Sequence, residues 1–113
     1  MNYVYLIGNN SVGLYKIGAT NSLKNRLKTN QTGCPYKLEI VHSFESEFAY
    51  KVEKLLHKDF MQYKKDENDN DIKGEWFALQ QEQLDVFLNK CSIYENNFKI
   101  LRDSGNHFFN KTL

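Results

Sequence analysis

The sequence predicts an α+β domain, a small three-stranded antiparallel sheet flanked by helices in the order β-β-α-β-α, a short β, then α. Three observations carry this expectation. Two short β-rich segments, residues 3–7 and 14–18, are separated by turn residues. Residues 38–44 alternate apolar and polar side chains, and two longer stretches repeat apolar residues at three- and four-residue steps. The 113 residues, 41% of them hydrophobic and 14% aromatic, suffice for one domain with a bulky core.

Each element follows from local chemistry. The first strand reads Tyr-Val-Tyr-Leu-Ile, and Gly8, Asn9, Asn10 and Ser11 close it with turn residues. A second strand over 14–18 completes an antiparallel hairpin. Asn21-Ser22 offers an N-cap for a short helix whose Leu23 and Leu27 share one side, with Lys24, Arg26 and Lys28 on the others. Gly33 and Pro35, the only proline, mark residues 29–36 as a loop. Leu38, Ile40, His42 and Phe44 then line one face of a half-buried third strand.

Ser46 is expected to cap a helix over 47–63 whose apolar stripe is Phe48, Val52, Leu55, Leu56 and Phe60. Residues 66–71 read as a polar surface loop, and Gly74-Glu75-Trp76-Phe77 as a short strand or an aromatic plug. The last helical region begins near Gln80 and carries Leu84, Phe87, Leu88, Cys91, Tyr94, Phe98 and Leu101. It is one long helix or two broken near Ser92, ending at Ser104-Gly105-Asn106. Residues 80–113 are thus expected to be a helical extension packing on the domain formed by residues 1–79.

Composition excludes several classes. No apolar run is long enough to span a bilayer, and Met1-Asn2-Tyr3 opens without the features of a signal peptide. Cys34 and Cys91 do not make a disulfide scaffold, so two reduced thiols and a cytoplasmic (for a virus, host cytoplasmic or nuclear) setting are expected. The net charge of +1 argues against a tail-driven polyanion binder. It conceals an asymmetry: residues 1–64 hold nine Lys/Arg against five Asp/Glu, and residues 65–113 hold six against nine. A basic first half is compatible with a phosphate-bearing ligand there.

Metal motifs are weak. The cysteines and histidines are scattered, without zinc-ligand spacing. Residues 66–71 fail the calcium-loop pattern, because Asp71 stands where glycine is needed and Phe77 where the bidentate Glu belongs. No nucleotide-binding glycine loop or nucleophile elbow is present. What remains is Tyr5, Lys16, Arg26 and Glu53, polar groups on four successive elements that pack on one small sheet.

The ordered set resembles the GIY-YIG nuclease superfamily. Tyr3-Val4-Tyr5 and Tyr15-Lys16-Ile17-Gly18 are similar to its two signatures; Arg26 lies where the family keeps its arginine, and Glu53 matches its metal-binding glutamate. The stretch from Ala49 to His57 and the later Gly74-Glu75-Trp76-Phe77 resemble the phage and large-virus branch, in which lysine often replaces the second signature tyrosine. The resemblance covers about residues 3–79, which makes that part the catalytic domain. Asn30 stands where many members carry histidine, one turn past the arginine.

The resemblance implies a metal-dependent endonuclease. Glu53 would hold Mg²⁺ (or Mn²⁺), arriving with the scissile phosphate, and Arg26 would clamp the non-bridging oxygens. Tyr5, with an ordinary pKa of about 10, would activate water with its acidity raised by Lys16 and Arg26; alternatively Lys16 takes the proton. Tyr15 is a further candidate, although alternation points it to the opposite face. His57, one turn past Glu53, either shuttles a proton or touches substrate, or else binds a backbone carbonyl. Glu75 reads as a supporting or capping group, and Trp76 and Phe77 as core. Lys24, Lys28 and Lys37 are candidate backbone-phosphate contacts.

DNA is the expected partner, with RNA possible and no membrane; the chain would act as a monomer or homodimer, with the C-terminal helix and His107-Phe108-Phe109 packed on the core or forming a dimer surface. The alternatives are a catalytically impaired binding module for nucleic acid or protein, and a nuclease for RNA or small nucleotides. Against a pure binder, Glu53 beside phosphate is repulsive unless a metal intervenes.

Overall fold

The computed structural model describes residues 1–64 and 76–104. Its strands are β1 (Asn2–Asn9), β2 (Leu14–Thr20), β3 (Glu39–Ser46) and β4 (Trp76–Ala78), and its helices α1 (Leu23–Gln31), α2 (Ala49–Asp59) and α3 (Gln81–Asp103). The class and element order are those expected, but the sheet has four strands, ordered β3-β1-β2-β4 and antiparallel throughout. The short segment at Trp76 pairs with Leu14–Lys16 and so joins the sheet. The acidic loop, Glu75 and the tail carrying His107 lie outside the described residues.

Alternation along the strands splits the apolar side chains between two faces. Val4, Leu6, Tyr15, Ile17 and Ala19 meet α2 and α3 in the main core, which Phe60, Phe77 and Phe87 fill. Tyr5, Ile7 and Leu38 form a smaller cluster with Leu23 and Leu27 of α1. Phe77 faces the main core and Trp76 the smaller one, so only Phe77 is deep core.

The third strand departs from its expected single face. Ile7 pairs with Ile40 but Leu6 with His42, leaving Val41 as an extra residue at a bulge. One inserted residue reverses the side-chain alternation. Leu38 and Ile40 therefore pack toward α1, whereas Phe44 joins the main core and His42 stacks on Phe87, with centroids 5.9 Å apart.

The start of α1 is as expected, while other helix ends differ. Ser22 caps α1, its hydroxyl accepting from the Asn25 amide. Ser46 does not cap α2: that place belongs to Phe48, and the Ser46 hydroxyl instead donates to Glu95 of α3 while accepting from the Phe48 amide. The helix stops at Asp59 rather than running to residue 63, and a 3₁₀ turn, Met61–Tyr63, follows. α3 is unbroken through Ser92 and starts with a reciprocal Gln80–Gln83 capping box. Its buried stripe is Leu84, Phe87, Cys91 and Glu95; Leu88 and Leu101, expected to share it, are exposed.

Candidate active site

The α1-facing side of the sheet gathers most of the candidate residues. Tyr5 is 5% exposed at the centre of β1, opposite Gly18, and its ring lies over that glycine. Lys16 stands two residues from Gly18 on β2, hence on the same face and diagonal to Tyr5. Its ammonium sits 4.8 Å from the centroid of Trp76, held over the ring by cation–π attraction.

Helix α1 covers this face. Leu23 and Leu27 anchor it, and helical spacing places Arg26 and Asn30 on the same flank, one turn apart. Arg26 is exposed and, among the described residues, forms no ion pair, which leaves its guanidinium available to an anion. Asn30 lines a pocket together with Lys16 and Trp76. Lys24, Lys28 and Lys37 come together in one groove of about 440 Å³ along α1. Gln31 holds the loop that separates groove and pocket, donating to the Tyr36 carbonyl at 2.7 Å and accepting from the Leu38 amide at 2.8 Å.

Glu53 and His57 reach the sheet from its other side. Nε2 of His57 lies 2.7 Å from the Ile17 carbonyl and 3.4 Å from Oε1 of Glu53, and its ring meets Phe77 edge-on. A carbonyl only accepts, so Nε2 carries the hydrogen and is not a metal ligand in this arrangement. The Gly13 carbonyl accepts from Leu79 on the β4 side; period two puts the Ile17 carbonyl on that same edge, one residue past the Lys16–Trp76 pair. The α2 pair thus sits at the outer edge of β2, beside the point where Lys16 leaves the strand.

For a divalent cation this edge offers one carboxylate, since no group of three His, Cys, Asp or Glu converges among the described residues. Glu53, with a side chain 28% exposed, fits a Mg²⁺ or Mn²⁺ ion that takes its other oxygens from phosphate and water. It does not fit a permanently caged structural ion.

Tyr15 is not part of this surface. Its ring is 2% exposed in the main core, its hydroxyl donates to Oδ1 of Asn10 at 2.7 Å, and burial raises its pKa. Asn30 and Trp76 are the site residues that motif reading assigned no role. The signal for Asn30 was its place at the i+7 position from Leu23, which turns it toward the sheet. Trp76 was hidden by its aromatic character, which reads as core.

No helix among the described residues is long and apolar enough to cross a membrane. Comparison with curated proteins and with solved structures gave no match. The model of the T5orf172 domain matches residues 2–92, from the first strand into α3, and the chain belongs to this phage-associated family.

Proposed function

We propose that the chain is a metal-dependent endonuclease of the GIY-YIG type that hydrolyses phosphodiester bonds of DNA. Membership of the T5orf172 family supports a nuclease or DNA-binding role. The observation that carries the finer reading is the convergence on β2. Lys16 shares a pocket with Asn30 of α1, which lies one helical turn past Arg26, and the next residue, Ile17, is bound at the strand edge by His57 of α2, which also contacts Glu53. Phosphate, a positive clamp and a metal-binding carboxylate can therefore meet at one place.

On this reading the planar fork of Arg26 holds two non-bridging oxygens of the scissile phosphate. Tyr5 acts as the phenolate, which the Lys16 ammonium stabilises, and becomes the neutral phenol as it takes the proton of the attacking water. Glu53 would hold the metal ion, which would supply Lewis acidity to the reaction. His57 positions Glu53 and ties α2 to β2. Loss of Arg26 is expected to slow cleavage by about 10²–10³-fold, comparable to removing one oxyanion donor.

The test is cleavage of supercoiled plasmid, single-stranded DNA and RNA with Mg²⁺, Mn²⁺ or EDTA. Metal-dependent nicking lost in Glu53→Ala and Arg26→Ala supports the proposal, and the substrate panel identifies the polymer. If the wild type and both variants bind nucleic acid equally and cut nothing with either metal, the domain is a binding module and the proposal falls.

A further inference from the structure

We propose that the pocket between the α1–β3 loop and the β2–β4 edge takes one unpaired nucleobase, so that the preferred substrate presents a single-stranded or extruded nucleotide beside the phosphate site. This inference rests on the nuclease reading for its location and deepens it by naming the substrate's form.

The pocket is about 240 Å³, with Trp76, Tyr36 and Pro35 as flat or apolar walls and Lys16 and Asn30 as its polar groups. That is smaller than the ~300–1,000 Å³ of sites for whole small molecules and suits one planar ring. Tyr36 is 42% exposed, so its ring is open to stacking. The Nδ2 of Asn30 is buried and, among the described residues, has no hydrogen-bond partner. A native fold rarely leaves such a donor orphaned without a reason. Rotation of the amide offers a donor and an acceptor to the pocket, the pattern that reads a base edge.

Two further features favour a strand over a free heterocycle. Thr32 belongs both to this pocket and to the groove lined by Lys24, Lys28 and Lys37, so the two cavities adjoin. A phosphate backbone following the lysines is thus brought to the mouth of the pocket, with one base free to turn in. The loop is also fixed beforehand, because the Lys37 carbonyl accepts from the Asn9 side chain at 2.9 Å and Gln31 holds the carbonyl of Tyr36. Stacking a paired base there is impossible without unstacking it from its duplex.

Trp76 is the only tryptophan, so its fluorescence reads the pocket directly. The experiment titrates the full chain, in EDTA, with a short single-stranded oligonucleotide, an abasic strand of equal length and charge, and a blunt duplex. The expected result is quenching by the single strand alone, with affinity for it lowered about tenfold in both Tyr36→Ala and Asn30→Leu and affinity for the abasic strand unchanged. Tyr36→Ala alters an exposed loop side chain and so separates loss of the pocket from loss of the fold. Equal affinity for the single and abasic strands, without quenching, overturns the pocket even if plasmid nicking persists. Quenching by the single strand in a protein that cuts nothing with either metal overturns the nuclease reading and leaves the base pocket standing.

Discussion

The phenol of Tyr5 lies across the backbone of Gly18, its partner in the β1–β2 register, so closely that a Cβ on Gly18 would meet the hydroxyl and stand 2.8 Å from Cε2. Gly18 is therefore a seat for Tyr5. Gly18→Ala is expected to displace the Tyr5 ring, cost about 1–3 kcal/mol as overpacking and abolish nicking. Urea unfolding and the plasmid assay measure both effects. In a double-mutant cycle, Tyr5→Ala should recover most of the stability cost of Gly18→Ala but none of the activity.

A buried polar tie fixes α3 to the end of β3. Glu95 is 6% exposed, accepts from the Ser46 hydroxyl at 2.5 Å through one oxygen and from the Glu47 amide at 2.9 Å through the other. Hydrogen bonds to a charged acceptor contribute about 1.5–3 kcal/mol each, and truncation strands both donors. Glu95→Ala should therefore lower stability by roughly 2–4 kcal/mol, and Glu95→Gln, which still accepts one bond, by less. Chemical denaturation of the two variants checks this order. Equal small losses would mean that the Glu95 tie contributes little to docking the helix.

The hairpin, the third strand and all three helices were legible because their signals are local: β-branched runs, the Ser22 cap and the apolar periods. Residues 74–77 read equally as a strand or an aromatic plug. The split of β3 was not legible. Leu38, Ile40, His42 and Phe44 keep perfect period-two spacing, and only the pairing partner across β1 imposes the bulge at Val41. Likewise Glu95 looks like a surface charge on an amphipathic helix until β3 brings Ser46 against it. At the site, Tyr5, Lys16, Arg26 and Glu53 were legible as an ordered set. The contributions of Asn30 and Trp76 depend on which face each presents, which period alone assigns for Asn30 and strand register for Trp76.

Alkaline pH should loosen the α2–α3 contact. Burial, and then the hydrogen bond and charge of Asp59, push the Tyr94 hydroxyl up to about 12 from its usual 10.0. The folded state thus holds this proton more tightly than the unfolded chain does. Its contribution to stability is fully present below pH about 10 and is lost as pH rises toward about 12. Urea midpoints measured from neutral pH up to that range should fall for the wild type, and less steeply for Tyr94→Phe. Parallel curves would remove Tyr94 from the linkage.

The two thiols should react very differently. Cys91 is fully buried in the main core, where burial pushes its thiol up to about 12. Cys34 is half-buried at the pocket beside Pro35. Thiolate content and access both govern alkylation. Iodoacetamide at mildly alkaline pH should modify Cys34 in the folded protein and both cysteines in urea, as peptide mass spectrometry will read. Modification of Cys91 at a similar rate without denaturant would show that α3 detaches readily.

The lysine groove makes a quantitative prediction for salt. Lys24, Lys28 and Lys37 line one groove on α1, so a bound strand can neutralise its phosphates on all three. Each phosphate contact adds about 0.9 to the slope of log affinity against log salt on duplex DNA and about 0.7 on a single strand. The triple Lys→Gln variant should therefore flatten the slope by roughly two to three, whatever the base sequence, because phosphate contacts carry no sequence information. Lys54 and Lys58 are also exposed but lie on α2, which packs on the opposite face of the sheet. Replacing them with Gln removes two charges against three and should leave the slope unaltered. Filter binding or anisotropy in EDTA across a salt series distinguishes the two variants. If both flatten the slope alike, long-range charge governs binding and the groove on α1 is not its track.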